Sequence, residues 1–334
     1  MRSADHNRTF SGYGSGDELR KGKTVTITAD VQNRRNPRVV VVGSMVVDRK
    51  FFEAGEYATG GEDGTVWHVE QRPGGIGRNV AINLARLGAR VSFVAVSGDD
   101  ERSRELELGL RGAGVSVTAH RVPDGLGVVE LFLDADRNLT ATTVRLPDRA
   151  ESLALRCGEV ERLVSAADGV VVETGLDPRL VEWLRNGSRR GGAVLCGLPS
   201  RLDDPDVLAE SLSTYDVLVL NHREAARLLG RAHDDVATAE RHARLLRAHF
   251  ARTVVVTCGS SGALLIGPDH SSLRLPAGDG PCRDDTGAGD ALAATFLAHL
   301  LRGGEPGTAL RHGMSAATLT LRCRKATCVR LALV

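Results

Sequence analysis

The sequence predicts an α/β fold, a mostly parallel sheet with helices on both faces. Three observations carry this. After Ala150 four short buried-strand runs recur: "GVVVET" (Gly169 to Thr174), "GAVLCGL" (Gly192 to Leu198), "DVLVLN" (Asp216 to Asn221) and "TVVVTCG" (Thr253 to Gly259). Amphipathic stretches such as "LVEWLRNGSRRG" and "ATAERHARLLRAHF" separate them. Strands alternating with helices make βαβ units, whose right-handed crossovers cover both sheet faces. Finally, "PRVVVVGSMVVD" (Pro37 to Asp48) holds four consecutive valines, a run suited to a strand buried on both sides.

Taken in order, residues 1–37 are polar and rich in Gly, Ser, Asp and Arg, and are expected to form a flexible leader, with "TVTITAD" (Thr24 to Asp30) as a short strand. One domain is expected over residues 38–334. Residues 49–72 mix Gly, Glu, Thr and single hydrophobes, the pattern of a half-exposed hairpin. "NVAINLARLGA" (Asn79 to Ala89) has helical spacing, with Gly88 as its stop. "VSFVAVSGDD" reads as a strand, and "LGVVELFLDADRN" (Leu126 to Asn138) as a strand and a turn. "LAATFLAHLL" is a helix without internal Gly or Pro, starting near Gly289 and Asp290. Ligands of such sheets bind beyond the carboxyl ends of the strands. Asp48, Asn221, Thr257 and Gly259 fall at or near those ends.

Composition narrows the function classes. Among 334 residues, 43 basic and 42 acidic side chains leave a net charge of +1, which gives no general pull toward nucleic acid or an anionic membrane. Aromatics at 4% argue against a stacking platform for single strands. No apolar run is long enough to span a bilayer, and no basic-then-apolar leader is present. The six cysteines form no CxxC pair, and their spacing suggests neither a zinc site nor a disulfide framework. A reduced, cytoplasmic protein is expected.

The chemistry concentrates in "DDTGAGDALAATF" (Asp284 to Phe296). The first amides of a helix lack intrahelical partners, and the helix dipole adds positive charge there. Gly287, Ala288 and Gly289 could thus present N–H groups to a phosphate. Asp290 would repel a phosphate, but suits a base that accepts a proton from a hydroxyl beside one. For this motif alone, a turn and a cap explain the residues better.

Three further stretches are individually ambiguous. "RPGGIGRNVAINLARLG" (Arg72 to Gly88) opens a helix. It is no P-loop, having no Lys-Ser or Lys-Thr after its glycines, and "HVEQRP" before it is no buried strand, so a dinucleotide fingerprint is poor. Asn79 could bond a polyol, and Gly74 and Gly75 could let a ring lie against the backbone. "NHREAARLLG" (Asn221 to Gly230) places Glu224 at capping-box spacing from Asn221. "TCGSSGALLIG" (Thr257 to Gly267) reads equally as turn chemistry.

Together, from about Val39 to about Cys323 and in family order, these features resemble the PfkB carbohydrate kinases, the ribokinase family. "VVGSMVVD", "GGIGRNVAINLARLGARVSFVAVSGDD", "NHRE", "TCGSSG" and "DDTGAGDALAATF" are similar to its first strand, N-terminal signature, N-x-x-E motif, nucleotide loop and C-terminal signature. The resemblance implies a ribokinase-like three-layer α/β/α sandwich with a small β-sheet lid from about residues 49–72 and 115–145. It implies ATP and Mg2+ as cofactors, with K+ as a further candidate. It casts Asp290 as catalytic base, with Gly287, Ala288 and Gly289 as the anion pocket. Asp48, Gly74, Gly75 and Asn79 would bind the substrate. Asn221, Glu224, Thr257, Gly259 and Gly262 would bind the nucleotide. Glu224 would hold Mg2+ through water, and Asp284 and Thr286 would bind a monovalent cation. A sugar or nucleoside would receive the γ-phosphoryl group on a primary hydroxyl, and lid pairing would give a homodimer.

Within the family, "PGGIGRNVAINLARLG" is most similar to pseudouridine kinases. Ribokinase or another sugar kinase is the alternative. A non-catalytic sugar- or nucleoside-binding regulator on the same fold is a reading of another class, and a dinucleotide-dependent oxidoreductase a third. The chain departs from the family pattern at Met314, where an Asn near adenine is usual, and at "RCRKATC", where a cation loop is usual. Cys196 and Gly197 stand where an acid is common, and the chain ends early, at Val334.

Overall fold

The computed structural model describes residues 36–59, 62–136, 138–201, 215–231, 235–280, 282, 285–323 and 325–331. Residues 1–35 of the leader, with its short strand, and Asp284 lie outside the described residues. In chain order the elements are β1 (Arg38–Val42), β2 (Val46–Thr59), β3 (Glu62–Gly74), α1 (Ile76–Arg86), β4 (Arg90–Gly98), α2 (Glu101–Gly112) and β5 (Ser116–Val122). There follow β6 (Gly127–Leu133), β7 (Leu139–Arg145), α3 (Gly158–Ser165), β8 (Gly169–Glu173), α4 (Pro178–Gly191), β9 (Val194–Leu198) and β10 (Tyr215–Asn221). The last are α5 (His222–Leu228), α6 (Ala239–His249), β11 (Ala251–Thr257), β12 (Ala263–Ile266), β13 (Ser272–Leu275), α7 (Ala288–Leu301) and α8 (Pro306–Leu321).

Among the described residues the main sheet has nine strands in the order β13-β12-β11-β10-β9-β8-β1-β4-β5. Its strands are parallel from β11 to β5, while β12 and β13 extend it antiparallel. Side chains alternate across a strand. Val39 and Val41 of β1 therefore enter one core, with α1, α2, α7 and α8. Val40 and Val42 enter the other, with α3, α4, α5 and α6. These four valines are all buried, each worth about 1.5–3 kcal/mol relative to exposure. The result is the three-layer sandwich with a mostly parallel central sheet.

A second sheet of four strands, β3-β2-β6-β7, forms the lid. It begins at Val46 and draws its second half from residues 127–145. The expected second lid segment, 115–145, is thus too long. Ser116–Val122 instead pairs parallel with β4 at the edge of the main sheet. The helix α2 between the two strands makes this a βαβ crossover, which a half-polar strand sequence did not reveal.

The cysteine expectation also needs correction. Cys323 and Cys328 form a disulfide, their Cα atoms 5.9 Å apart. The chain turns back directly after α8, so a local bridge arises from two cysteines that fit no framework spacing.

Candidate active site

The site lies beyond the carboxyl ends of β1, β8 and β10, where the lid strands leave the sheet. Here β1 gives way to Gly43 and Ser44, and β8 ends in Glu173. Glu173 is 4% exposed, yet it is well partnered. Its Oε1 accepts from Ser44 N at 2.7 Å, Ser44 Oγ at 2.9 Å and Gly77 N at 2.7 Å. Burial pushes this carboxyl above its ordinary range, against those bonds. A Cβ on Gly43 or Gly77 would meet the carboxylate, so both glycines make its approach possible. Glu173 ties β8, β1 and the start of α1 together, a role the sequence motifs missed. The available signal was an acid ending the run "GVVVE".

Gly75 precedes α1 at φ 104°. Only glycine takes that conformation readily, and a Cβ would also strike the Ser44 carbonyl. The tight turn delivers Asn79 into the first turn of α1, where Nδ2 donates to Asp290 Oδ2 at 2.8 Å. Asp48 pairs with Arg72 across the lid hairpin, and its carboxylate lies where a Cβ of Gly74 would be. The predicted substrate set, Asp48, Gly74, Gly75 and Asn79, is therefore brought together.

Opposite, Gly287 caps α7 at φ 82°, abutting the Ala326 carbonyl. Gly289 has open space where a side chain would project. Ala288 differs from expectation, because its N–H donates to the Asp285 carbonyl at 3.2 Å. That amide is spent on closing the turn. Asp290 follows, half-buried, and its pKa is pushed up to about 7. Burial is the main cause; Glu173, Glu224 and Asp48 add like-charge repulsion, and the Asn79 hydrogen bond opposes.

Asp48, Asn79, Glu173, Glu224 and Asp290 line one cavity of about 370 Å³, together with Ser44, Arg201, Arg227 and Thr286, whereas Gly287, Ala288 and Gly289 do not line it. Val129, Val144 and Leu146 give it an apolar wall from the lid. A second cavity of about 420 Å³ shares Asp48 and Thr286 with it and carries Lys50, Arg72 and Lys325. Lys50 Nζ donates to Thr286 Oγ1 at 3.2 Å.

The predicted nucleotide residues divide. Glu224 lines the first cavity. Asn221 serves as a helix cap: Oδ1 accepts from Glu224 N at 2.9 Å, and Glu224 Oε2 accepts from Asn221 N at 2.8 Å. Burial raises the Glu224 pKa. Thr257 pairs with Asn221 in register at the same sheet end, but Thr257, Gly259 and Gly262 line neither cavity. Gly259 and Gly262 have φ of 56° and 87°, and Cys258 N donates to Gly262 O at 2.7 Å, the turn chemistry that the sequence allowed.

Residues 36–330 match the family model described as pfkB family carbohydrate kinase. The chain is 30% identical over 291 residues to the bifunctional protein HldE of Pseudomonas syringae pv. syringae, covering 84% of this chain and 58% of that one. It thus spans under two thirds of that relative's length. A carbohydrate kinase structure from Agrobacterium tumefaciens superposes with a TM-score of 0.69 at 27% identity, over 86% of this chain and 92% of its own. Arabidopsis thaliana ribokinase, complexed with ribose and ATP, shares the fold at a TM-score of 0.71 and 20% identity, over 86% and 94% of the chains.

Proposed function

The chain belongs to the pfkB family of carbohydrate kinases, and from that premise we propose that it is a phosphotransferase that moves the γ-phosphoryl group of ATP to a primary hydroxyl of a nucleoside, pseudouridine being the first candidate. The observation that carries the reading is Asp290: a carboxylate with a pKa of about 7, facing a cavity, in the first turn of α7 and next to the open space at Gly289. Its basicity suits a proton acceptor at neutral pH.

The acceptor lies between Asp48, Asn79 and the apolar wall of Val129, Val144 and Leu146. That wall supports an acceptor with a flat ring as well as hydroxyls, a nucleoside over a free sugar. Asp290 takes the hydroxyl proton while the acceptor oxygen bonds to the γ-phosphorus and the bond to the β-phosphate oxygen breaks, releasing ADP. The Gly287 and Gly289 amides face the charge on the moving group. Arg201 and Arg227 bring positive charge to the same cavity, so positioning and electrostatics carry the step.

The donors fit Mg2+: Glu224, whose Oε2 accepts from its cap, brings a hard carboxylate to the lining of the cavity. When bound, Mg2+ would neutralise phosphate charge. K+ fits less well at Thr286, because its hydroxyl already accepts from the Lys50 ammonium. No step is routed through a monovalent cation. Exposed Trp67 and Val69, on the lid face opposite Asp48 and Val144, support a homodimer through this sheet, which sedimentation would test.

A screen for ADP formation across sugars and nucleosides, pseudouridine included, with and without K+, tests the acceptor. Asp290→Asn is expected to lower kcat by about 100-fold or more with ATP binding kept. Full turnover in that variant would remove the base; no turnover of any acceptor by the parent would favour a binding protein.

A further inference from the structure

Arg78 precedes Asn79 in the first turn of α1, and nothing above gives it a role. It is 8% exposed, a guanidinium almost wholly withdrawn from water. Its backbone N–H donates to Ser44 O at 3.1 Å. Its Nη1 donates to Pro73 O at 3.3 Å and to Asn79 Oδ1 at 3.1 Å. Burial draws its pKa down to about 10 while Asp48 opposes, so it remains charged at neutral pH.

A guanidinium donates five hydrogen bonds and accepts none, so a carboxamide facing it must present its oxygen. With Oδ1 toward Arg78, the Asn79 Nδ2 faces Asp290 Oδ2 at 2.8 Å. We infer that Arg78 is a positioning residue for phosphoryl transfer: it admits only the oxygen of Asn79, and so compels that amide to donate to the base. One oxygen of Asp290 is then held, and the other is left for the acceptor hydroxyl. This rests on the reading of Asp290 as the base.

A flipped amide would show Asp290 an oxygen, which only a protonated carboxyl could satisfy. The surroundings already favour protonation: Glu173 from β8, Glu224 from α5 and Asp48 from β2 are like charges. Arg201 and Arg227 line the same cavity, and Lys50 bonds Thr286 on the approach to α7; these cations act in the opposite sense. Among these opposing groups, the orientation of one amide tips the ionisation of the base.

The experiment compares Arg78→Lys with Arg78→Gln. Infrared titration of the carboxyl band that Asp290→Asn removes reports the Asp290 pKa without any acceptor. An ammonium also only donates, so the Lys variant keeps the amide oriented and the titration in place, even where its kcat falls. Glutamine can donate or accept, so the Gln variant frees the amide. Its titration is expected to move up by about one unit, about a fivefold loss of ionised base at neutral pH. An unmoved titration in Arg78→Gln, or a shift in Arg78→Lys as large as in the Gln variant, would overturn the inference. Should the Gln variant not fold, Asn79→Leu removes the donor with Arg78 in place; it must shift the titration upward, and no shift sinks the idea. Full turnover in Asp290→Asn would instead strike the base reading itself.

Discussion

At the scale of single residues, the site is a balance of burial against hydrogen bonding. Asp290 shows this in its pH behaviour. Its pKa, pushed up to about 7, lies above the 3.8 of an unfolded aspartate. Between those values the unfolded chain releases the proton and the folded chain keeps it, so stability falls as pH rises through the window. Asp290→Asn abolishes the slope. The variant is expected to match the parent in melting at pH 4 and to exceed it at pH 8 by about 2 kcal/mol, a figure discounted because the carboxyl is only half-buried. Calorimetry at both pH values checks this. In activity the sign reverses: kcat rises with pH through about 7 as the base ionises. Glu173 is different in kind, because its carboxylate is structural acceptor to Ser44 and Gly77. Glu173→Ala leaves two backbone donors without that acceptor and is expected to cost about 3 kcal/mol in urea unfolding. Glu173→Gln keeps a carbonyl oxygen there and should cost clearly less.

At the scale of elements, the N-terminus of α7 separates two glycines by what surrounds them. Gly287 sits at positive φ against the Ala326 carbonyl, so Gly287→Ala strains the backbone by about 1–2 kcal/mol and displaces the turn. Lower melting and lower kcat are expected together. Gly289 has open space around its α-carbon and lies inside the helix. Gly289→Ala should therefore hold or raise stability, by up to about 1 kcal/mol, while its methyl group intrudes where a phosphate would approach. A raised KM for ATP with undiminished melting would show this; an unchanged KM would argue that the phosphate lies elsewhere. The α5 start teaches a related point. "NHRE" satisfies a capping box completely, yet Glu224 still lines the cavity, so the structural and functional readings coexist there.

At the scale of the whole molecule, the lid stands open. Val144 is 59% exposed although it lines the cavity beside Asp290. Closure over an acceptor would bury it and exclude water from the transfer. Hydrogen exchange across Leu139–Arg145 is expected to slow when an acceptor and a non-hydrolysable ATP analogue bind together, more than with either alone. Equal exchange in all states would mean that the lid does not close on ligand.

Much of this protein was already legible in its chain. Runs such as "RVVVV" and "GVVVE" can only be satisfied by burial on both sides, and that local demand determines a parallel sheet with two helical layers. The glycines at 75 and 287 and the acids at 48 and 290 were likewise readable, because turn geometry and helix ends are local. What only the tertiary structure decided depends on long-range encounters: that Glu173 would seal Ser44 to Gly77, that the Ala288 amide would turn inward, that Ser116–Val122 would leave the lid for the sheet edge, and that Cys323 would meet Cys328. Even the basicity of Asp290 is of this kind, since it arises chiefly from burial, and the carboxylates that add to it, 66 to 242 residues away in the chain, are gathered into one cavity by the fold alone.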